Sequence, residues 1–189
     1  MTRLWFVRHG PTHARAMVGW TDLPADLSDT PKLRRVAGYL PNAATTVTSD
    51  LIRARDTADA LHLSGPRLAD MTGLREIHFG AWEMKGFDEV DNPDHIRAFW
   101  DDPGDVAPPN GESWNAFGAR VDAATDQILA MGIDDIIVVC HFGVIVRQIQ
   151  RALRVPASEA FGHRIANLSV TRIDVVSGEW SAPSINHQP

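Results

Sequence analysis

Apolar and polar positions along the chain change period at intervals, and each change marks an element. Residues 3–7 form an apolar run that ends abruptly in Arg8, His9, Gly10 and Pro11, which predicts a strand delivering two polar groups at its end. Thr30 with Pro31 behind it is a helix start, leading into KLRRVAGYL. The β-branched TTVTS at 45–49 predicts a second strand. From Asp50 the apolar residues Leu51, Ala54, Ala58 and Leu61 step by three and four, a helix with one buried face. Trp114, Phe117, Val121, Ala124, Ile128 and Met131 repeat those steps behind Ser113, a helix cap. The continuous apolar run IIVVC at 136–140 suits a strand covered on both faces; VIVRQIQRAL then reads as a helix and LSVTRIDV at 168–175 as a strand.

Strands alternating with helices predict an α/β fold, a three-layer sandwich with a mostly parallel central sheet and helices on both faces. In such sheets ligands sit outside the carboxyl ends of the strands. Three of those ends carry chemistry: Arg8-His9-Gly10, Ser49 through Arg53, and His141-Phe142-Gly143.

Composition narrows the classes. At 189 residues one domain is expected, 1–189, with 44% hydrophobic and 22% charged residues. A net charge of -6 argues against a nucleic-acid partner. One cysteine, Cys140, excludes an internal disulfide and reads as a small buried hydrophobe. No segment has the length of a membrane span or of a signal-peptide core, so no membrane partner is expected and the expected location is the cytoplasm. Between Glu83 and Asp105 eight acidic residues face two basic ones, equal to the net charge of the whole chain. This loop-rich acidic excursion, about 83–112, reads as a solvated surface run near the active-site mouth.

Were Arg8, His9, Arg53 and His141 to meet, the arginine forks and a protonated histidine would spread positive charge over the oxygens of a transferring phosphoryl group. The other histidine, held by one ring nitrogen, would attack phosphorus with the second; His9 suits that role, and Gly10 would let the main chain approach the anion. Glu76 in LREIHFGAWE is the candidate acid for the departing alkoxide, although nearby arginines would hold it ionised until a phosphate dianion offsets them. Each residue also has a structural reading: a core histidine for His141, a surface ion pair with Asp50 or Asp56 for Arg53.

VRHGPT, SDLIRARDTA, LREIHFGAWE, NGESW and VVCHFGVIVR resemble, in order and spacing, the motifs of the histidine phosphatase superfamily, which includes the cofactor-dependent phosphoglycerate mutases. GWTDLPADLS and IANLSVTRID extend the resemblance over nearly the whole chain. It implies His9 as phosphorylated nucleophile, Arg8, Arg53 and His141 as the phosphate pocket with a backbone donor after His141, and Glu76 as proton donor and later base. No metal or other cofactor is implied. Glu112 is either a pocket residue or a first-turn acid. Arg15 stands where an asparagine is common and either reads a second anionic group or points to solvent. Phe142 replaces the usual glycine and would narrow the pocket mouth. The expected activity is metal-independent hydrolysis of a small phosphomonoester with a neutral or modestly charged leaving group. A phosphoglycerate mutase-type transferase, a catalytically silent phosphate-binding module and a metallohydrolase using His9, His13 and His141 are the alternatives. A homodimer is compatible with all of them.

Overall fold

The computed structural model describes residues 1–189. Strand β1, Thr2–Arg8, lies in the middle of a five-stranded sheet. Its pleat sends Leu4 and Phe6 into one apolar cluster and Trp5 and Val7 into another, so both faces are covered. Strand β2 is Thr45–Thr48 and β3 is Asp135–Cys140; β3 divides in the same way, with Ile136, Val138 and Cys140 on the first face and Ile137 and Val139 on the second. Helices α1, Thr30–Tyr39, and α2, Ile52–Ala60, cover the second face with Leu33, Val36, Ala54 and Ala58. The apolar cluster on the first face also takes in buried residues of α3, Pro93–Asp101, α4, Trp114–Leu129, and α5, Phe142–Leu153.

The sheet is mixed, which corrects the expectation of a mostly parallel one. Strand order is β2-β3-β1-β4-β5, where β4 is Val170–Val176 and β5 is Glu179–His187. β1, β2 and β3 are parallel, whereas β4 runs antiparallel to both β1 and β5. The cause is the path after α5. The chain passes through the one-turn α6, Ala157–Ala160, and returns to the carboxyl rim of β1 before pairing. There Leu168 N–H donates to the Arg8 carbonyl and Arg8 N–H to that of Ser169, so β4 starts at the top of the sheet and must descend. Ser177 and Gly178, both at positive φ, then turn the chain into β5, a hairpin that the sequence reading left unassigned.

The predicted helices and strands form with small shifts at their ends. Asp29, rather than Thr30, caps α1 by accepting from Lys32 N–H, and Ser113 caps α4. Met131 lies past the end of α4 and is 46% exposed. Cys140 is buried and free, and burial raises its thiol pKa. The acidic excursion is not merely loop: Asn92 caps α3, which buries Ile96 and Phe99 and leaves Asp94 and Asp101 in solvent.

Candidate active site

The parallel core of the sheet makes the convergence geometric. Arg8 pairs with Cys140 and Thr48 with Val139 across neighbouring strands, so the residues after each pair leave the sheet at one rim. His9 and His141 follow directly, with ring centroids 5.1 Å apart, and the Ser49 N–H reaches the Val139 carbonyl at 3.1 Å.

His9 is buried, and its Nδ1 lies 2.6 Å from the Gly10 carbonyl. A carbonyl only accepts, so Nδ1 carries the proton and Nε2 presents a lone pair. Burial first and the charge of Arg53 second push the His9 pKa down to about 3. The Asn167 amide holds the His9 carbonyl at 2.9 Å. Gly10 does not open a path for an anion as expected; its N–H donates to Thr57 Oγ1 at 2.9 Å.

His141 is fully buried and caps α5 through its backbone. Its Nε2 meets Ser49 Oγ at 2.8 Å. That hydroxyl also accepts from Leu51 N–H. His141 Nδ1 has no partner in the protein, nor has Arg8 Nε. Burial and Arg53 hold the His141 pKa well below its ordinary value. His141 is thus neutral and lacks the positive charge expected from sequence.

Arg53 is buried and Arg8 half-buried; burial lowers the pKa of both, with Glu76 as the principal opposing charge. Arg8 donates to the Ile165 carbonyl at 2.6 Å and lies over the Phe142 ring at 5.5 Å. Arg53 is 1% exposed and donates to the carbonyls of Thr21 at 3.0 Å and Gly19 at 2.6 Å, not to Asp50 or Asp56.

Glu76 closes the rim. Its carboxyl accepts from Gly143 N–H at 3.1 Å and Ile77 N–H at 3.0 Å, so the backbone donor expected for the phosphate is engaged by Glu76 instead. A Cβ at Gly143 would stand 2.3 Å from Glu76 Oε1, and only glycine permits this approach. Burial raises the Glu76 pKa and outweighs the N–H donors and the two arginines. The shift is in the direction a proton donor needs, and its cause, burial, opposes the effect of the arginines read from sequence.

Arg15 is exposed and joins none of these contacts. His13 is exposed too and pairs with Asp26 at 2.8 Å, away from His9 and His141. No group of three or more His, Cys, Asp or Glu side chains is arranged to hold a metal ion. Glu112 is a buttress: it accepts from His78 N–H and pairs through both oxygens with Arg120 at 2.7 Å. Arg120 in turn grips the carbonyls of Gly73, Arg75 and Glu76 and so fixes the segment that aims Glu76.

Sequence reasoning missed Arg120 and misread Glu83. Glu83 accepts from the N–H groups of Gly19, Trp20, Thr21 and Phe79 and from the Thr21 hydroxyl. A Cβ at Gly19 would lie 2.1 Å from the Ile77 carbonyl, so loop 19–21 seats closely against this segment. The carbonyls of that loop hold Arg53, which makes Glu83 a positioning residue for the phosphate pocket. Its count among eight acids hid it; a glutamate in an acidic run carries no local sign of five donors. Glu83→Ala is expected to lower unfolding free energy by about 3 kcal/mol in urea titrations, because buried donors lose their acceptor. It should also raise KM for a phosphate ester more than it lowers kcat.

Two guanidinium groups, two neutral imidazoles and a carboxyl thus gather at the carboxyl rim of the parallel strands of an α/β sheet. The sequence profile of the histidine phosphatase superfamily (branch 1) matches residues 4–188, and the chain belongs to that superfamily. Phosphomonoester hydrolysis, the activity expected from the residues, stands with this membership. An adenosylcobalamin/alpha-ribazole phosphatase of Salmonella typhimurium is 30% identical over 93% of this chain and 92% of its own. A probable phosphoglycerate mutase of Serratia proteamaculans is 28% identical over 96% and 89%. The structure of a mycobacterial glucosyl-3-phosphoglycerate phosphatase, 25% identical, superposes with a TM-score of 0.86 over 100% of both chains. No helix is long and apolar enough to cross a membrane.

Proposed function

We propose that this protein hydrolyses small phosphate monoesters through a phosphohistidine on His9, with no metal ion in the reaction. The observation that carries the reading is the His9 ring: neutral, held at Nδ1 by the Gly10 carbonyl, with Nε2 unpartnered and the charges of Arg53 and Arg8 acting on it.

In the first step Nε2 attacks phosphorus and the bond to the ester oxygen breaks. Arg8 and Arg53 bear the charge on the equatorial oxygens, and His141 Nδ1–H donates to one of them. The departing oxygen takes the Glu76 proton. The resulting carboxylate then removes a proton from water, whose oxygen attacks phosphorus and breaks the P–N bond. Inorganic phosphate leaves, with His9 neutral and Glu76 protonated again. Phe142 contributes by stacking on Arg8 and narrowing the mouth, and Arg15 stands outside the inner phosphate site.

Hydrolysis is favoured over mutase transfer by the lid. α3 sets Phe99 and Trp100 beside Glu76 while its acids face solvent, an arrangement that opposes a doubly phosphorylated intermediate. The relatives named alpha-ribazole phosphatase support the same choice. One domain over residues 1–189, with the acidic excursion over the mouth and helices on both sheet faces as three layers, is the architecture this reading uses; its partner is a small phosphorylated substrate and its place the cytoplasm.

The test is p-nitrophenyl phosphate turnover in excess EDTA with 3-phosphoglycerate present. The expected result is undiminished release, with all phosphate recovered as inorganic phosphate. Phosphate recovered on the added phosphoglycerate would establish the transferase instead, and loss of turnover in EDTA would remove the metal-free mechanism.

A further inference from the structure

On the side of Glu76 away from the sheet lies a small cavity of about 40 Å³ whose wall includes Phe79, Phe99, Trp100, Phe142 and Phe161. Glu76 is the only ionisable group in that wall. The rings form a continuous set: Phe99 to Trp100 at 5.0 Å, Trp100 to Phe161 at 5.9 Å and Phe161 to Phe142 at 6.3 Å between centroids. Phe142 borders both regions, since the Arg8 guanidinium lies over its ring.

We propose that this aromatic cavity is the leaving-group subsite, and that the enzyme's substrates are phosphate monoesters of uncharged, apolar alcohols, above all those carrying an aromatic ring. The inference rests on the hydrolase reading, because it takes Glu76 as the proton donor. The ester oxygen must then sit within hydrogen-bond reach of Glu76, and the carbon attached to it must continue away from the arginines. The space in that direction is walled by rings, with no lysine, arginine or free backbone donor to meet a carboxylate or a second phosphate. A space this small and apolar holds water poorly, having one polar partner to offer. The cavity is smaller than an aromatic ring, so a ring-bearing ester requires Trp100 and Phe142, both half-buried, to shift and admit it among the wall's rings. An anionic leaving group would lose its hydration there without any compensating partner.

Three primary alkyl phosphates of similar leaving-group basicity separate the possibilities: 2-phenylethyl phosphate, glycerol 3-phosphate and 3-phosphoglycerate. The expected order of kcat/KM is the order just given, with the phenylethyl ester ahead of glycerol 3-phosphate by about tenfold or more. In Trp100→Ala the ratio of those two values is expected to fall by roughly tenfold. The wild-type order tests the substrate class even if the variant does not fold. Hydrolysis of p-nitrophenyl phosphate with no such order among the three esters, or with none of them turned over, overturns the subsite and leaves the hydrolase reading standing. So does an unchanged ratio in a folded Trp100→Ala. Failure of all four esters overturns the hydrolase reading, and the subsite falls with it.

Discussion

His9→Ala is expected to eliminate turnover of every phosphate ester, by at least about a thousandfold, with or without a chelator. The size follows from the covalent role: without an Nε2 nucleophile the first displacement has no attacking atom, and the arginines can only bind. Folding should survive, because the Gly10 carbonyl is the imidazole's one hydrogen-bond partner. The variant should still bind inorganic phosphate, which separates lost chemistry from lost structure. The ring's protonation supplies a second readout. An ordinary histidine titrates near 6.5, whereas burial and Arg53 push the His9 pKa down to about 3. Its lowered pKa keeps it neutral throughout the neutral and mildly acid range, so an NMR titration of the substrate-free protein should show no protonation of His9 near 6.5. Full activity in His9→Ala would end the phosphohistidine mechanism.

The second large effect belongs to Glu76. Glu76→Gln is expected to reduce kcat by roughly 10²–10⁴-fold for an alkyl phosphate, the span of a lost general acid. The loss should be smaller for p-nitrophenyl phosphate, because that phenolate departs with little need of a proton. A structural defect would depress both esters alike. The pH profile carries the sign. Burial raises the Glu76 pKa, and the protonated form is the active one in the first step, so kcat/KM falls as pH rises through that pKa. In Glu76→Gln this alkaline limb should vanish while the residual activity stays level. An alkaline limb that persists in the variant would assign it to another group.

The two residues differ in how far the sequence disclosed them. His9 was legible because its position follows from chain order: an apolar run, a register shared with β3, and a break at Gly10-Pro11 place it on the rim whatever else surrounds it. The same holds for His141 after IIVVC and for Arg53 in the first turn of α2. Glu76 was named as the candidate acid, but the direction of its pKa shift was not legible, since the arginines were visible in the sequence and the burial was not. Glu83 shows the limit from the other side. As one of eight acids it looked solvated, yet five donors from loop 19–21 and Phe79 converge on it.

The antiparallel half of the sheet was hidden for a related reason. An apolar strand such as LSVTRIDV has the same pattern whichever way it runs, and its direction was set by where the preceding chain delivered it, against Arg8 at the rim. Sequence alone determined the element types, the three loaded strand ends and the class of chemistry they carry, because strand period, helix caps and side-chain donors are local properties. Tertiary structure decided the direction of β4, the charge state of His9, His141 and Glu76, the buttresses Glu83 and Arg120, and the aromatic wall beside the acid. Each of those depends on burial and on contacts between distant segments, and desolvation strong enough to override neighbouring charges exists only once the chain has folded around the site.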